Sequence, residues 1–263
     1  MRIFFIGDIV GSPGRNAVIK FLNKIKSENN IDVVLANGEN ASGGFGLTPG
    51  NAKELLNCGI DVITSGNHIW DKKEIIEFIS SEGRVLRPAN YPEGIPGNGR
   101  ILINTRFGEK VGIISLVGRV FMDNIDCPFT VSCREISKLS IETDIIIIDF
   151  HAEATSEKIA MGWFLDGKVS AVIGTHTHVQ TADEKILPKG TAYISDVGMT
   201  GSMNSVIGIN KDIVIEKFLT CMPKKFEVAK GDVQLNGVIV DIDSNTGKST
   251  SIQRIGIPLH GDL

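Results

Sequence analysis

Cysteine is scarce in this chain and follows no pattern. Cys58, Cys127, Cys133 and Cys221 form no C-x-x-C and no pairing spacing, so no disulfide framework is expected and reduced packing thiols in a cytosol fit better. Positive charge is not concentrated anywhere: no Lys/Arg cluster stands out and the net charge is −4. Binding that blankets a phosphate backbone is therefore not expected, and stable nucleic-acid binding is set aside, although a confined basic pocket remains compatible. No apolar stretch reaches the ~18 residues of a membrane span. The opening MRIFFIGDIV meets Asp8 at once and lacks a small-residue cleavage site, so it does not read as a signal peptide. A soluble, cytoplasmic protein is expected. Repeats, low-complexity tracts and linkers are absent as well. The glycines from Gly7 to Gly14 fit neither G-x-G-x-x-G nor a Walker loop. With 263 residues and 42% apolar content the chain can bury a sizeable core, and a single domain over 1–263 is expected.

Against these absences stands a regular series of short Ile/Val-rich runs: Arg2–Ile6, Asp32–Ala36, Asp61–Thr64, Ile145–Phe150, Ser170–Ile173 and Ala192–Ser195. Continuous apolar strands with helical stretches between them predict an α/β fold with sheets covered on both faces. Ser12-Pro13 reads as an N-cap followed by proline at the first helical position, and Asp71 to Glu74 has capping-box spacing. Hairpins are expected where Arg100–Thr105 and Val111–Val117 flank Phe107–Lys110, and after Asn236–Asp243 at Ser244–Gly247. These strands exceed what one parallel sheet holds, which suggests two sheets packed face to face with helices outside. The Pro/Gly-rich 87–99 reads as a long surface loop.

The chemistry lies just past the strands. The first ends in Asp8, the second in Glu39-Asn40, the third in Asn67-His68, the fourth in His151, and the fifth leads into His176 and His178. Ligands of open α/β sheets bind beyond the carboxyl ends of the strands. A lone Asp or Asn there usually caps a turn, and a lone His is usually a hydrogen-bonded core residue. Five successive strand ends carrying oxygen and imidazole donors are harder to explain that way. The set lacks thiolate and suits Mn²⁺, Fe²⁺ or Zn²⁺, and it is large enough for two ions sharing a carboxylate.

These residues, in this order, resemble the five-block signature of the calcineurin-like binuclear metallophosphoesterases. The wording between the blocks (NGENASGGFGLTP, TSGNHIWDKKE, RPANYP, DFHAEATSEK, GTHTHVQTADE, ISDVGMTG) is similar to the bacterial YmdB-type branch, described as cyclic-nucleotide phosphodiesterases. The wider superfamily has Asp-x-His in its first block and a bridging Asp in its second, where this chain has Val10 and Glu39 followed by Asn40; the branch shares both departures. The resemblance implies a four-layer αββα sandwich of two mixed β-sheets flanked by helices. It implies two divalent ions, Fe or Mn foremost and Zn also accommodated. One is held by Asp8, Asn40 and His178, the other by Asn67, His151 and His176, with Glu39 between them. It further implies that His68 is no ligand but the proton donor to the leaving group.

Two ions about 3.5–4 Å apart can acidify a water between them and clamp the oxygens of an in-line displacement at phosphorus. The expected activity is hydrolysis of 2′,3′- or 3′,5′-cyclic nucleotides. A phosphomonoesterase or nucleotidase on the same site, and a metal-stabilised regulatory protein that interacts with RNA, are the competing readings. A carboxylate of the Asp144 to Asp149 stretch is expected to orient a ligand histidine. Arg15 reads as a solvated side chain, with anion binding at the Ser12 helix start as the alternative. The glycines after Ala41 would let backbone approach a substrate. Phe45 reads as a packing or base-stacking ring, and Asp196 as a cap or a rim residue. The native metal, the physiological substrate and a homo-oligomeric state are left open.

Overall fold

The computed structural model describes residues 1–259; the last four residues of the expected 1–263 domain lie outside the described residues. In chain order the elements are β1 (Arg2–Ile6), β2 (Asp8–Ile9), α1 (Gly11–Asn29), β3 (Val33–Asn37), α2 (Pro49–Asn57), β4 (Val62–Thr64), α3 (Ile75–Ser81), β5 (Arg100–Asn104) and β6 (Lys110–Val117). There follow α4 (Pro128–Leu139), β7 (Ile146–His151), α5 (Thr155–Leu165), β8 (Ala171–Thr175), β9 (Lys185–Ile186), β10 (Ala192–Ile194), β11 (Met199–Ser202), α6 (Lys211–Thr220), β12 (Val233–Ile242) and β13 (Ser249–Pro258). No described helix is long and apolar enough to cross a membrane.

Two mixed sheets result. One runs β2-β11-β12-β1-β3-β4 with β13 added on β12, and the other runs β5-β6-β7-β8-β10-β9. The β1/β3/β4 and β6/β7/β8/β10 sets are parallel, whereas β12 and β5 join antiparallel. Both expected hairpins form, β5–β6 and β12–β13.

Alternation along the strands builds the layers, because successive side chains leave opposite faces. On β1, Ile3 and Phe5 enter the core between the sheets, together with Ile147 of β7 and Ile173 of β8. Phe4 and Ile6 face the other way, against Val18 and Leu22 of α1 and Leu55 of α2. On β7, Ile146, Ile148 and Phe150 meet Leu139 of α4 and Met161 and Leu165 of α5. Helix, sheet, sheet and helix are thus stacked in four layers, as expected.

The helix starts differ from the expectation. Helix α1 begins at Gly11 with Val10 as its cap and no side-chain cap bond. Instead the Gly11 N–H donates to the Asn40 carbonyl at 2.9 Å and the Gly14 N–H to the Val10 carbonyl. The first amide of the helix is therefore committed to holding the Asn40 backbone. Helix α3 begins at Ile75 behind Glu74. Asp71 does not cap it, because its carboxylate accepts from His68 Nδ1 at 2.9 Å.

Candidate metal centre

The carboxyl ends of the parallel strands from both sheets converge, and every donor named from the sequence lies where they meet. Glu39 Oε1, beyond β3, stands 2.9 Å from His151 Nε2, the last residue of β7. His176 Nδ1, beyond β8, is 2.9 Å from the same nitrogen, and Asn67 Oδ1, beyond β4, is 3.1 Å away. Glu39, His151 and His176 bring ligand atoms within 4.8 Å of one another, an arrangement that can hold a metal ion. Asp8, Asn40 and His178 form a second, adjoining group. Asn40 Nδ2 reaches both Glu39 Oε1 and His178 Nε2 at 3.2 Å, and Asp8 Oδ1 lies 3.9 Å from His178 Nε2. Glu39 therefore stands between the two groups.

Each histidine has one ring nitrogen committed to the protein, which leaves the other as a lone-pair donor. His178 Nδ1 donates to the Ile207 carbonyl at 2.8 Å. His176 Nε2 pairs with Glu153 at 3.2 Å. His151 Nδ1 donates to Thr175 Oγ1 at 2.9 Å, and that hydroxyl donates to Asp149 Oδ1 at 2.7 Å. The orienting carboxylate is thus Asp149, acting through Thr175, with Asn37 and Thr64 donating to its other oxygen. Asp8 Oδ1 and Asn40 Oδ1 are buried and accept no hydrogen bond. A buried oxygen without a donor is costly, and two of them beside ready imidazole nitrogens fit a divalent cation.

The electrostatics agree. Burial disfavours charge on His151, but Glu39, Asp8 and Asp149 outweigh it and raise the ring to about 9; the field at this point attracts cations. Burial also works against the Glu39 carboxylate, yet His151 and His68 hold it down at about 2. His176 is pushed down to about 3 by burial and by the neighbouring His151, and so is neutral. Burial raises Asp8, against His178 and His151, and pushes Asp149 up to about 6.

His68 stands at the edge of this cluster. Its backbone N–H donates to Glu39 Oε2 at 3.0 Å, and Asp71 fixes its ring through Nδ1. The remaining open residues now have places. Arg15 is not a solvated side chain: it pairs with Glu54 at 2.7 Å and donates to the Ala41 carbonyl, bracing the loop that carries Glu39 and Asn40. Phe45 packs edge-on against the His68 ring, with centroids 5.2 Å apart. Asp196 is buried and paired with buried Lys158 at 2.7 Å; it also accepts from the Thr177 N–H and hydroxyl. Lys158, Thr175, Glu153 and the Ile207 carbonyl went unread in the sequence, because nothing short of tertiary placement marks a lone Lys or Thr as a partner of a distant residue.

Gly66 of the Gly-Asn-His block is needed for a close approach. A Cβ there would stand 2.1 Å from the His151 ring. Gly66→Ala is therefore expected to displace His151, lowering stability by about 1–3 kcal/mol as overpacking does and reducing metal retention. Thermal unfolding and elemental analysis of the purified variant check both effects.

Residues 4–255 match the family model described as YmdB-like protein. The chain belongs to the YmdB-like family. It is 50% identical over 255 residues to a Bacillus subtilis protein named 2′,3′-cyclic-nucleotide 2′-phosphodiesterase, covering 97% of this chain and 96% of that relative. The fold is shared with a solved Mycoplasma pneumoniae structure described as a novel phosphatase, at TM-score 0.91 and 37% identity over 98% of this chain and 93% of that one. A Thermus thermophilus protein of solved structure superposes at TM-score 0.92 with 40% identity over 98% and 99% of the two chains. The YmdB-like match spans all the strand-end donors from Asp8 to His178, and the sandwich has the metallophosphoesterase-type fold expected from the sequence.

Proposed function

We propose that this YmdB-like protein is a single-domain, metal-dependent phosphodiesterase that opens 2′,3′-cyclic nucleotides. Asp8, Asn40 and His178 hold one divalent ion, Asn67, His151 and His176 hold a second, and Glu39 is shared; Fe or Mn suits this oxygen and imidazole set best, and Zn is accommodated. The observation that carries the reading is the pair of buried oxygens, Asp8 Oδ1 and Asn40 Oδ1, that accept no hydrogen bond beside histidines whose other nitrogens are already committed. The name of the Bacillus relative supports the substrate class. When bound, such ions supply Lewis acidity, activating a water for attack on phosphorus and neutralising the phosphate oxygens.

The rest of the work falls to the chain. Asp149, through Thr175, keeps His151 turned toward the cluster, and Asp196 holds the His176-Thr177-His178 turn in place. As the new phosphorus–oxygen bond forms, the ester bond to the ribose 2′ oxygen breaks and that oxygen needs a proton. His68, fixed through Nδ1 by Asp71, supplies it from its other ring nitrogen. A monoesterase would need more positive charge to balance the extra charge of its substrate. The cavity beside the donors has Lys217 as its one Lys or Arg lining residue, which favours the diester.

The test is steady-state hydrolysis by Mn²⁺-loaded protein of 2′,3′-cyclic AMP, 3′,5′-cyclic AMP and 4-nitrophenyl phosphate. The 2′,3′-cyclic diester is expected to be turned over best. Preference for the monoester would make the protein a phosphatase instead.

A further inference from the structure

A cavity of about 430 Å³ opens directly onto the donor cluster, with Glu39, His68 and His178 in its near wall. Its volume lies within the roughly 300–1,000 Å³ of small-molecule sites. The far wall has a different chemistry. It is built from two segments distant in sequence: the loop carrying Phe45, and the insertion between β11 and β12, which contributes Ile209, Lys217 and Phe226. The two segments are locked together at Gly44, which has φ +91° and where a Cβ would stand 3.0 Å from Val228 Cγ2. Gly44 also lies in the cavity wall, on the side where the sequence leads one to expect backbone near a substrate.

Aromatic rings form a rack leading away from the donors. The His68 ring meets the edge of Phe45 at 5.2 Å, and Phe45 lies nearly parallel to Phe226, with centroids 6.4 Å apart and planes 16° apart. Lys217 Nζ stands 4.5 Å from the Phe226 ring centroid. Away from the donor cluster the lining is apolar except for Lys217. Such a wall offers flat surface for a planar ring and a single cation, and it lacks the paired donors and acceptors that read the edge of one particular base.

We infer that this chamber is the nucleobase subsite, holding the base of the cyclic nucleotide by stacking and apolar contact and discriminating by ring size instead of edge hydrogen bonds. The inference rests on the phosphodiesterase reading. Stacking of a base on an aromatic side chain tolerates every base because each has a π-face. A purine, with the larger face, is favoured modestly over a pyrimidine.

The experiment compares kcat/KM for 2′,3′-cyclic AMP, 2′,3′-cyclic UMP and methyl riboside 2′,3′-cyclic phosphate, which has no base, in the Mn²⁺-loaded wild type, Phe226→Ala and Ile209→Trp. In the wild type, the adenine compound is expected to exceed the uracil one by less than about tenfold and the base-free one by at least about tenfold, the scale of a lost base stack. Phe226→Ala, and Ile209→Trp by filling the chamber, are expected to raise KM for 2′,3′-cyclic AMP about tenfold while lowering kcat/KM for the base-free compound far less. A loss confined to the base-bearing compound separates the missing base contact from a general loss of fold. Equal kcat/KM for the adenine and base-free compounds in the wild type would overturn the subsite and leave the phosphodiesterase standing. So would an equal loss on both compounds in both variants. A wild type that hydrolyses none of the three would overturn the phosphodiesterase reading, and the subsite with it.

Discussion

Replacing His68 with alanine is expected to lower kcat for a 2′,3′-cyclic nucleotide by about 10²–10⁴-fold, the contribution of a positioned general acid, while bound metal stays at the wild-type level. His68 is placed for this by three contacts that leave one ring nitrogen uncommitted. Its N–H is tied to Glu39, its Nδ1 to Asp71, and its ring to Phe45. Its neighbour Asn67 aims Oδ1 at His151 instead, so adjacent residues divide the tasks of holding an ion and giving a proton. The proton matters because a ribose alkoxide is a poor leaving group. A diester with a 4-nitrophenol leaving group, which departs unprotonated, is therefore expected to lose much less activity in the variant. Steady-state kinetics on both substrates, with elemental analysis of the same preparations, separate the roles. Equal losses on the two substrates, or a loss of metal, would assign His68 to the ion site.

Lys158→Met is expected to destabilise the protein by about 3–5 kcal/mol, the cost of removing one partner from a buried ion pair. For a chain of this size that lowers the unfolding midpoint by roughly 6–20 °C. Lys158 and Asp196 are both buried, 2.7 Å apart. Asp196 also receives the Thr177 N–H at 2.9 Å, the Thr177 hydroxyl at 2.8 Å and the Gly198 N–H at 2.8 Å. Thr177 sits between two strained residues, since His176 and His178 have φ of +102° and +66°. Left-handed conformations of this kind cost about 1–3 kcal/mol each and persist only where the surroundings impose them. Loss of Lys158 leaves an uncompensated carboxylate under this turn. The double variant Lys158→Met/Asp196→Asn, which removes the charge, is expected to recover part of the loss. An unchanged midpoint in Lys158→Met would show that the pair does not brace the turn.

The strands and the donors were legible in the sequence for related reasons. A run such as Arg2–Ile6 is apolar at consecutive positions because both faces of β1 are buried, one between the sheets and one under α1. Such runs can be located to within a residue or two, and their carboxyl ends then mark the rim. His151 shows the residual error: it is the last residue of β7, not the first beyond it. Asp149 was legible as one of two carboxylates, with Asp144 the other, but its route to His151 through Thr175 depends on pairing between β7 and β8. Local cap chemistry misled at Ser12, where distant Asn40 fixes the start of α1, and at Asp71, whose carboxylate is claimed by His68 three residues earlier. Arg15 likewise has a long side chain and no local partner, and only the fold brings Glu54 and Ala41 to it. The far wall of the cavity was silent, because Phe226 and Lys217 belong to a segment with no strand-end position and no motif.

The most direct measurement is turnover of 2′,3′-cyclic AMP by one preparation as its metal is removed by chelation and restored with Mn²⁺, with metal content followed by elemental analysis. Activity that vanishes with the metal, and returns as the content approaches two ions per chain in the wild type but not in Glu39→Ala, is the predicted result. Full activity in protein freed of metal, or wild-type metal content in Glu39→Ala, would contradict the account.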